Sequence, residues 1–142
     1  MKILALYGSA NRGKTNSIIQ IYSDLLNFGA TQIWYQATNN FDFLAILEYQ
    51  NKIITINSAG DSETEVVKDG LNQIENELRN RNLKMDCHIC ATRTKGSSVT
   101  ALQNYFNSTK PIWFDSLNLI GSSQIFLNLY YKFQSTRIIL HI

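Results

Sequence analysis

The chain opens on a short apolar run, Met1 to Tyr7, broken only by Lys2. Continuous apolarity over so few residues predicts a strand buried on both faces. Ile18, Tyr22 and Leu25 then recur at helical spacing, with Ile21 and Leu26 beside them, and Asn27-Phe28-Gly29 ends that helix. A short segment, Gln32 to Gln36, follows. Phe41 to Tyr49 and Lys52 to Ile56 read as two β runs joined by Gln50-Asn51, short enough for a hairpin turn. Val67, Leu71, Ile74 and Leu78 mark the clearest amphipathic helix, with Ser62 and Glu65 as a capping box at its start. Met85 to Thr92 predicts another buried strand. Val99, Leu102 and Phe106 predict a helix that Ser97 caps, and Ile112-Trp113-Phe114 a short strand. Ile125, Phe126, Leu129, Tyr130 and Phe133 suggest a final helix whose aromatics belong to the core or to a packing partner. The tail from Arg137 to Ile142 fits either a helical extension or an edge strand.

Strands and helices alternating in this way predict an α/β fold. Its sheet is mostly parallel, with helices on both faces and one antiparallel hairpin strand. The 142 residues fit a single domain spanning residues 1–142. In such sheets ligands bind at the carboxyl ends of the strands.

One of those ends carries the most specific chemistry of the chain. Gly8-Ser9-Ala10-Asn11-Arg12-Gly13-Lys14-Thr15 is an unbroken G-x-x-x-x-G-K-[ST] phosphate-binding loop between the first strand and the first helix. Gly8 and Gly13 permit backbone angles that let the loop turn its N–H groups inward. Lys14 brings a point charge to the terminal phosphates, Thr15 offers a hydroxyl to Mg²⁺, and the helix start through Asn16 adds its dipole. The expected ligands are ATP and Mg²⁺, with GTP less favoured.

The loop, hairpin and following glycine resemble the P-loop NTPase superfamily, and the order of elements is most similar to its small GTPase-like branch. The resemblance implies a three-layer P-loop NTPase-like fold. In that branch the hairpin ends in Asp-x-x-Gly, whose Asp holds Mg²⁺ through water. Here the stretch is Asn57-Ser58-Ala59-Gly60, followed by Asp61. Gly60 is retained and Asn57 replaces the acid, so Asp61 becomes the candidate for the metal or the attacking water, its alternative being a helix cap. The Asn-Lys-x-Asp guanine motif is replaced by Ala91-Thr92-Arg93-Thr94-Lys95-Gly96, which tilts the base toward adenine. Arg93 and Lys95 are candidates for contacting phosphates or stacking on a base. The chain also looks similar to small bacterial ATP-binding P-loop proteins.

Composition narrows the alternatives. Thirteen basic and 11 acidic residues leave a net charge of +2 without like-charge blocks, which gives no case for nucleic acid or an anionic membrane. No signal peptide and no apolar stretch of transmembrane length stands in the sequence, so a cytoplasmic location is expected. Cys87 and Cys90 form a C-x-x-C, but a strand sends them to opposite faces, and two ligands do not make a structural zinc site. His88 reads as structural, Asp42 and Glu48 as ordinary exposed strand residues. The leading function is an ATP-binding NTPase with slow or partner-dependent hydrolysis. A small-molecule kinase and a non-catalytic nucleotide-sensing module are the alternatives.

Overall fold

Six strands in one mixed sheet and four helices make up the described part of the chain in the computed structural model. The structure describes residues 1–8, 13–38, 41–59, 64–93, 97–107 and 109–142, with the backbone alone at 64–66, 97–98 and 101. In chain order these are β1 (Lys2–Tyr7), α1 (Lys14–Asn27), β2 (Thr31–Ala37), β3 (Phe43–Tyr49), β4 (Lys52–Asn57), α2 (Thr64–Asn80), β5 (Cys87–Thr92), α3 (Ser97–Tyr105), β6 (Ile112–Asp115) and α4 (Gln124–Ile139). The ambiguous tail is therefore helical through Ile139. The side chains of the expected caps at Ser62, Glu65 and Ser97 lie outside the described residues.

The sheet runs β2-β3-β4-β5-β1-β6. β1 lies between β5 and β6, parallel to both, and β4 is parallel to β5. Only β3 runs against its neighbours, pairing antiparallel with β2 and β4. Gln50 and Asn51 turn β3 into β4 with φ of 52° and 61°. Two successive left-handed residues give a tight turn whose twist matches the strands.

Alternation along β1 divides the core. Leu4 and Leu6 pack with Ile54, Ile56 and Ile89 against Ile18, Ile21 and Leu25 of α1 and Ile138 of α4. Ile3 and Ala5 point the other way, with Cys90, to Leu102 of α3. Leu44 and Ile46 meet Ile74 and Leu78 of α2. The period of two in the strands and of three to four in the helices thus yields helices on both faces.

The last helix forms, with most of its apolar residues outside the core. Its buried residues are Tyr130, Gln134, Ser135 and Ile138, while Ile125, Phe126, Leu129 and Phe133 are exposed. Polar contacts line the buried side. Ser135 Oγ donates to Asp24 Oδ2 of α1 at 2.6 Å, and Lys132 Nζ reaches Asp24 Oδ1 at 2.7 Å. Gln134 Nε2 donates to the Tyr130 hydroxyl at 2.7 Å and to the Asp115 carbonyl at 3.1 Å. Of the five apolar residues expected in the core or against a partner, only Tyr130 is buried within the chain.

Candidate functional site

The head of α1 stands over the carboxyl ends of β1 and β5. β1 feeds α1 on one face of the sheet, and β5 feeds α3 on the other. Two neighbouring strands whose helices leave to opposite faces open a crevice between their ends, the usual ligand position in an open α/β sheet.

Gly13 is the N-cap residue of α1, with φ of 64° in the left-handed region. The space around it is also closed: a Cβ here would lie 2.6 Å from Leu119 Cδ1 and 2.7 Å from Tyr131 Cε1. The next residue, Lys14, is buried, and its ammonium donates to the carbonyl oxygens of Gly8 at 2.5 Å and Thr92 at 2.9 Å. The Thr92 carbonyl also accepts from Gly8 N at 3.2 Å. Lys14 therefore ties the start of α1 to the ends of β1 and β5. The Thr92 hydroxyl is buried without a hydrogen-bond partner among the described residues.

Thr15 faces a different neighbour. Its Oγ1 donates to Asp42 Oδ1 at 3.3 Å, and Ser58 Oγ donates to the same oxygen at 2.9 Å. Ser58 Oγ in turn accepts from Phe43 N at 2.9 Å. The sequence reading of Asp42 as an ordinary exposed strand residue needs correction. Asp42 precedes β3, is half-buried, and draws together α1, the start of β3 and the end of β4. Periodicity had no means to find it, because the pairing of β3 with β4 brings Asp42 to Ser58 across 16 residues of sequence. Glu48 is exposed as expected.

Asn57, which the resemblance sets at the place of the hairpin acid, faces α2. It is buried beneath α2, where a Cβ on Gly70 would lie 2.6 Å from Asn57 Nδ2, and its Oδ1 accepts from Ala59 N at 3.1 Å. Arg93 is exposed and directly follows Thr92 at the end of β5. Asn16 Nδ2 donates to the Tyr131 hydroxyl at 3.2 Å, which links the first turn of α1 to α4. Beside it a cleft of about 310 Å³ is lined by Gly13, Asn16, Leu119, Ile120, Leu127 and Tyr131. Ser9, Ala10, Asn11, Arg12, Gly60, Asp61 and Lys95 lie outside the described residues.

The structure thus brings Gly8, Gly13, Lys14, Thr15 and Asn16 to one end of the sheet, with Arg93 at the neighbouring strand end. It adds Asp42, Ser58 and Thr92, which sequence reasoning did not assign to the site. No protein-family model, no curated protein and no solved structure matches this chain.

Cys87 and Cys90 fall on opposite faces, Cys87 with the α1 side and Cys90 with Leu102. Burial raises the Cys87 thiol to about 12 and pushes the Cys90 thiol up as well. Burial holds the His88 imidazole down at about 3. No group of three or more His, Cys, Asp or Glu among the described residues can hold a metal ion. No helix among them is long and apolar enough to cross a membrane.

Proposed function

We propose that this chain is a P-loop NTPase-like protein that binds Mg²⁺-ATP at residues 8–15 and hydrolyses it slowly or on contact with a partner, in the cytoplasm. The observation that carries the reading is Lys14. It is a lysine at a helix head, 4% exposed, folded onto the carbonyls of Gly8 and Thr92 where two parallel strands end. A phosphate entering the crevice would meet this ammonium and the strand-end N–H groups around it, and hydrogen bonds from a charged donor to an anionic oxygen are the strong kind. The α1 N-terminus favours the same charge.

Thr15 and Asp42 present oxygen donors of the kind Mg²⁺ takes, so the residues fit that ion. When bound, the ion neutralises charge on the phosphates. Lys14 would hold the terminal phosphate oxygens, and Arg93 would reach them from the end of β5. The cleft beside Gly13 carries one aromatic ring and one amide, and no carboxylate stands among its described lining residues. That supports a weak preference for adenine. A second reading, a nucleotide-sensing module without turnover, is favoured by Asn57, which is neutral and packed under α2.

The test is thermal denaturation with ATP, ADP, GTP and GDP, with and without Mg²⁺. Ligand at a hundredfold excess over its Kd should stabilise the fold by about 2.7 kcal/mol. Lys14→Ala should remove most of the triphosphate effect. Wild-type protein indifferent to every nucleotide at millimolar concentration would refute the proposal. Measurable turnover that falls in Arg93→Ala with ADP affinity retained would favour the NTPase over the sensor.

A further inference from the structure

We propose that Asp42 is the carboxylate that positions the divalent cation of this site, in place of the acid missing at Asn57. The inference rests on the nucleotide-binding reading and assigns a residue within it. Thr15, the hydroxyl in line for the cation, donates to Asp42 Oδ1 at 3.3 Å. Hydroxyls serving a hard cation need negative charge close by, because uncharged oxygens alone leave a dehydrated divalent ion undercompensated. Asn57 supplies none, and its side chain is engaged with Ala59 N beneath Gly70. Asp42 supplies a full charge within hydrogen-bonding distance of Thr15.

The backbone is built to hold this carboxylate in place. Thr38 N donates to the Asp42 carbonyl at 2.8 Å and closes the loop that enters β3. Ser58 N donates to the Phe43 carbonyl at 3.1 Å, while Ser58 Oγ bridges Phe43 N and Asp42 Oδ1. Phe41, immediately before, takes φ of 69°. It gains no burial in return, since it is 91% exposed. A bulky residue in that region costs about 1–3 kcal/mol and persists where its surroundings enforce it. Here the enforced result is a half-buried carboxylate next to an exposed ring.

A merely structural Asp42 would serve through its Oδ1 acceptor alone, which asparagine reproduces. The cation role needs the charge, which asparagine lacks. The experiment is therefore ADP titration by calorimetry for wild type, Asp42→Asn and Asp42→Glu, each in Mg²⁺ and in EDTA. A parallel measurement uses Mn²⁺ paramagnetic resonance on the ADP complexes. Asp42→Asn should keep its affinity for ADP in EDTA, lose the gain that Mg²⁺ gives wild type, and bind Mn²⁺ about 10–100-fold more weakly. Asp42→Glu, which keeps the charge, should recover part of the Mn²⁺ signal, and it carries the test if the asparagine variant fails to fold. Wild-type Mg²⁺ dependence in Asp42→Asn overturns the proposal while leaving the nucleotide site intact. Absence of ADP binding in the wild type, by contrast, overturns both readings.

Discussion

Lys14 Nζ and the carbonyl oxygen of Thr92 lie 2.9 Å apart across 78 residues of sequence, one at the head of α1 and the other at the end of β5. Lys14 is thus a structural clasp between its own helix and the neighbouring strand. Lys14→Met should remove that clasp as well as the ligand charge. The expected cost without nucleotide is about 1–3 kcal/mol, since hydrogen bonds from a charged group are the stronger kind. Urea denaturation of the two proteins without ligand reads it. A variant as stable as wild type would mean that the two carbonyls gain nothing from the ammonium.

Asp24 clasps α1 to α4, accepting from Gln20, Lys132 and Ser135 at 3.0, 2.7 and 2.6 Å. Burial pulls its pKa upward, but these hydrogen bonds and the Lys132 charge outweigh it and hold the carboxyl below its ordinary 3.8. The folded form therefore favours the ionised state. Its contribution is fully present above the unfolded value and is lost as pH falls below about 3.8 through the folded value. Asp24→Asn should lower stability at pH 7 by about 1–3 kcal/mol and soften the acid limb below pH 4. Chemical denaturation from pH 7 to pH 3 tests both parts.

His88 sets a different acid window. Its Nδ1 lies 2.8 Å from Thr55 Oγ1, and Nε2 has no partner among the described residues. Burial depresses its pKa from 6.5 to about 3, so the folded state keeps it neutral while the unfolded chain takes up a proton. Stability is present above pH 6.5 and declines as pH falls from there toward 3, at up to about 1.4 kcal/mol per pH unit. His88→Phe should flatten the loss between pH 6.5 and 4.5, a range in which Asp24 contributes little. Unchanged pH dependence in that variant would exclude His88 as its source.

Cys87 and Cys90 should resist alkylation in the native state at pH 8. Both are buried, and burial holds Cys87 near 12, so the thiolate that reacts is scarce. Labelling with iodoacetamide, followed by mass spectrometry, should show modification only under denaturant. Rapid native labelling of either residue would reopen a redox role for the pair.

Gly13→Ala should be among the most disruptive single changes. It places a Cβ at φ of 64° and within 2.7 Å of Leu119 and Tyr131 side-chain atoms. Strain at φ and overpacking each cost about 1–3 kcal/mol. Thermal denaturation without ligand measures this loss separately from any effect on nucleotide.

The elements were written plainly in the pattern of side chains, and the site only in part. β1, the hairpin and α2 follow from periods that local burial enforces, down to the turn at Gln50 and Asn51. The buried face of α4 was not legible because Asp24, more than a hundred residues earlier, holds Ser135 inward against its hydropathy and takes Lys132 as an ion pair at the rim. Gly8 to Thr15 stood out because one stretch contains the whole loop. Asp42 did not, because its importance comes from Thr15 and Ser58, which meet it only after α1 crosses the sheet and β4 pairs with β3. Thr92 was hidden similarly: what it offers is chiefly a backbone carbonyl, which any residue could provide.

The position of β1 has a consequence for how the chain is made. Synthesis proceeds from the N-terminus, and early segments begin to fold before late ones exist. β2, β3 and β4 lie within residues 31–57 and can assemble as a meander soon after they emerge. β1 cannot join them, because its two neighbours are β5 and β6. β1 waits for Cys87–Thr92 on one side and Ile112–Asp115 on the other. Through that interval Leu4 and Leu6 have only α1 to pack against, and both edges of β1 stay unpaired. The Lys14 clasp likewise forms only once Thr92, 78 residues later, has been added.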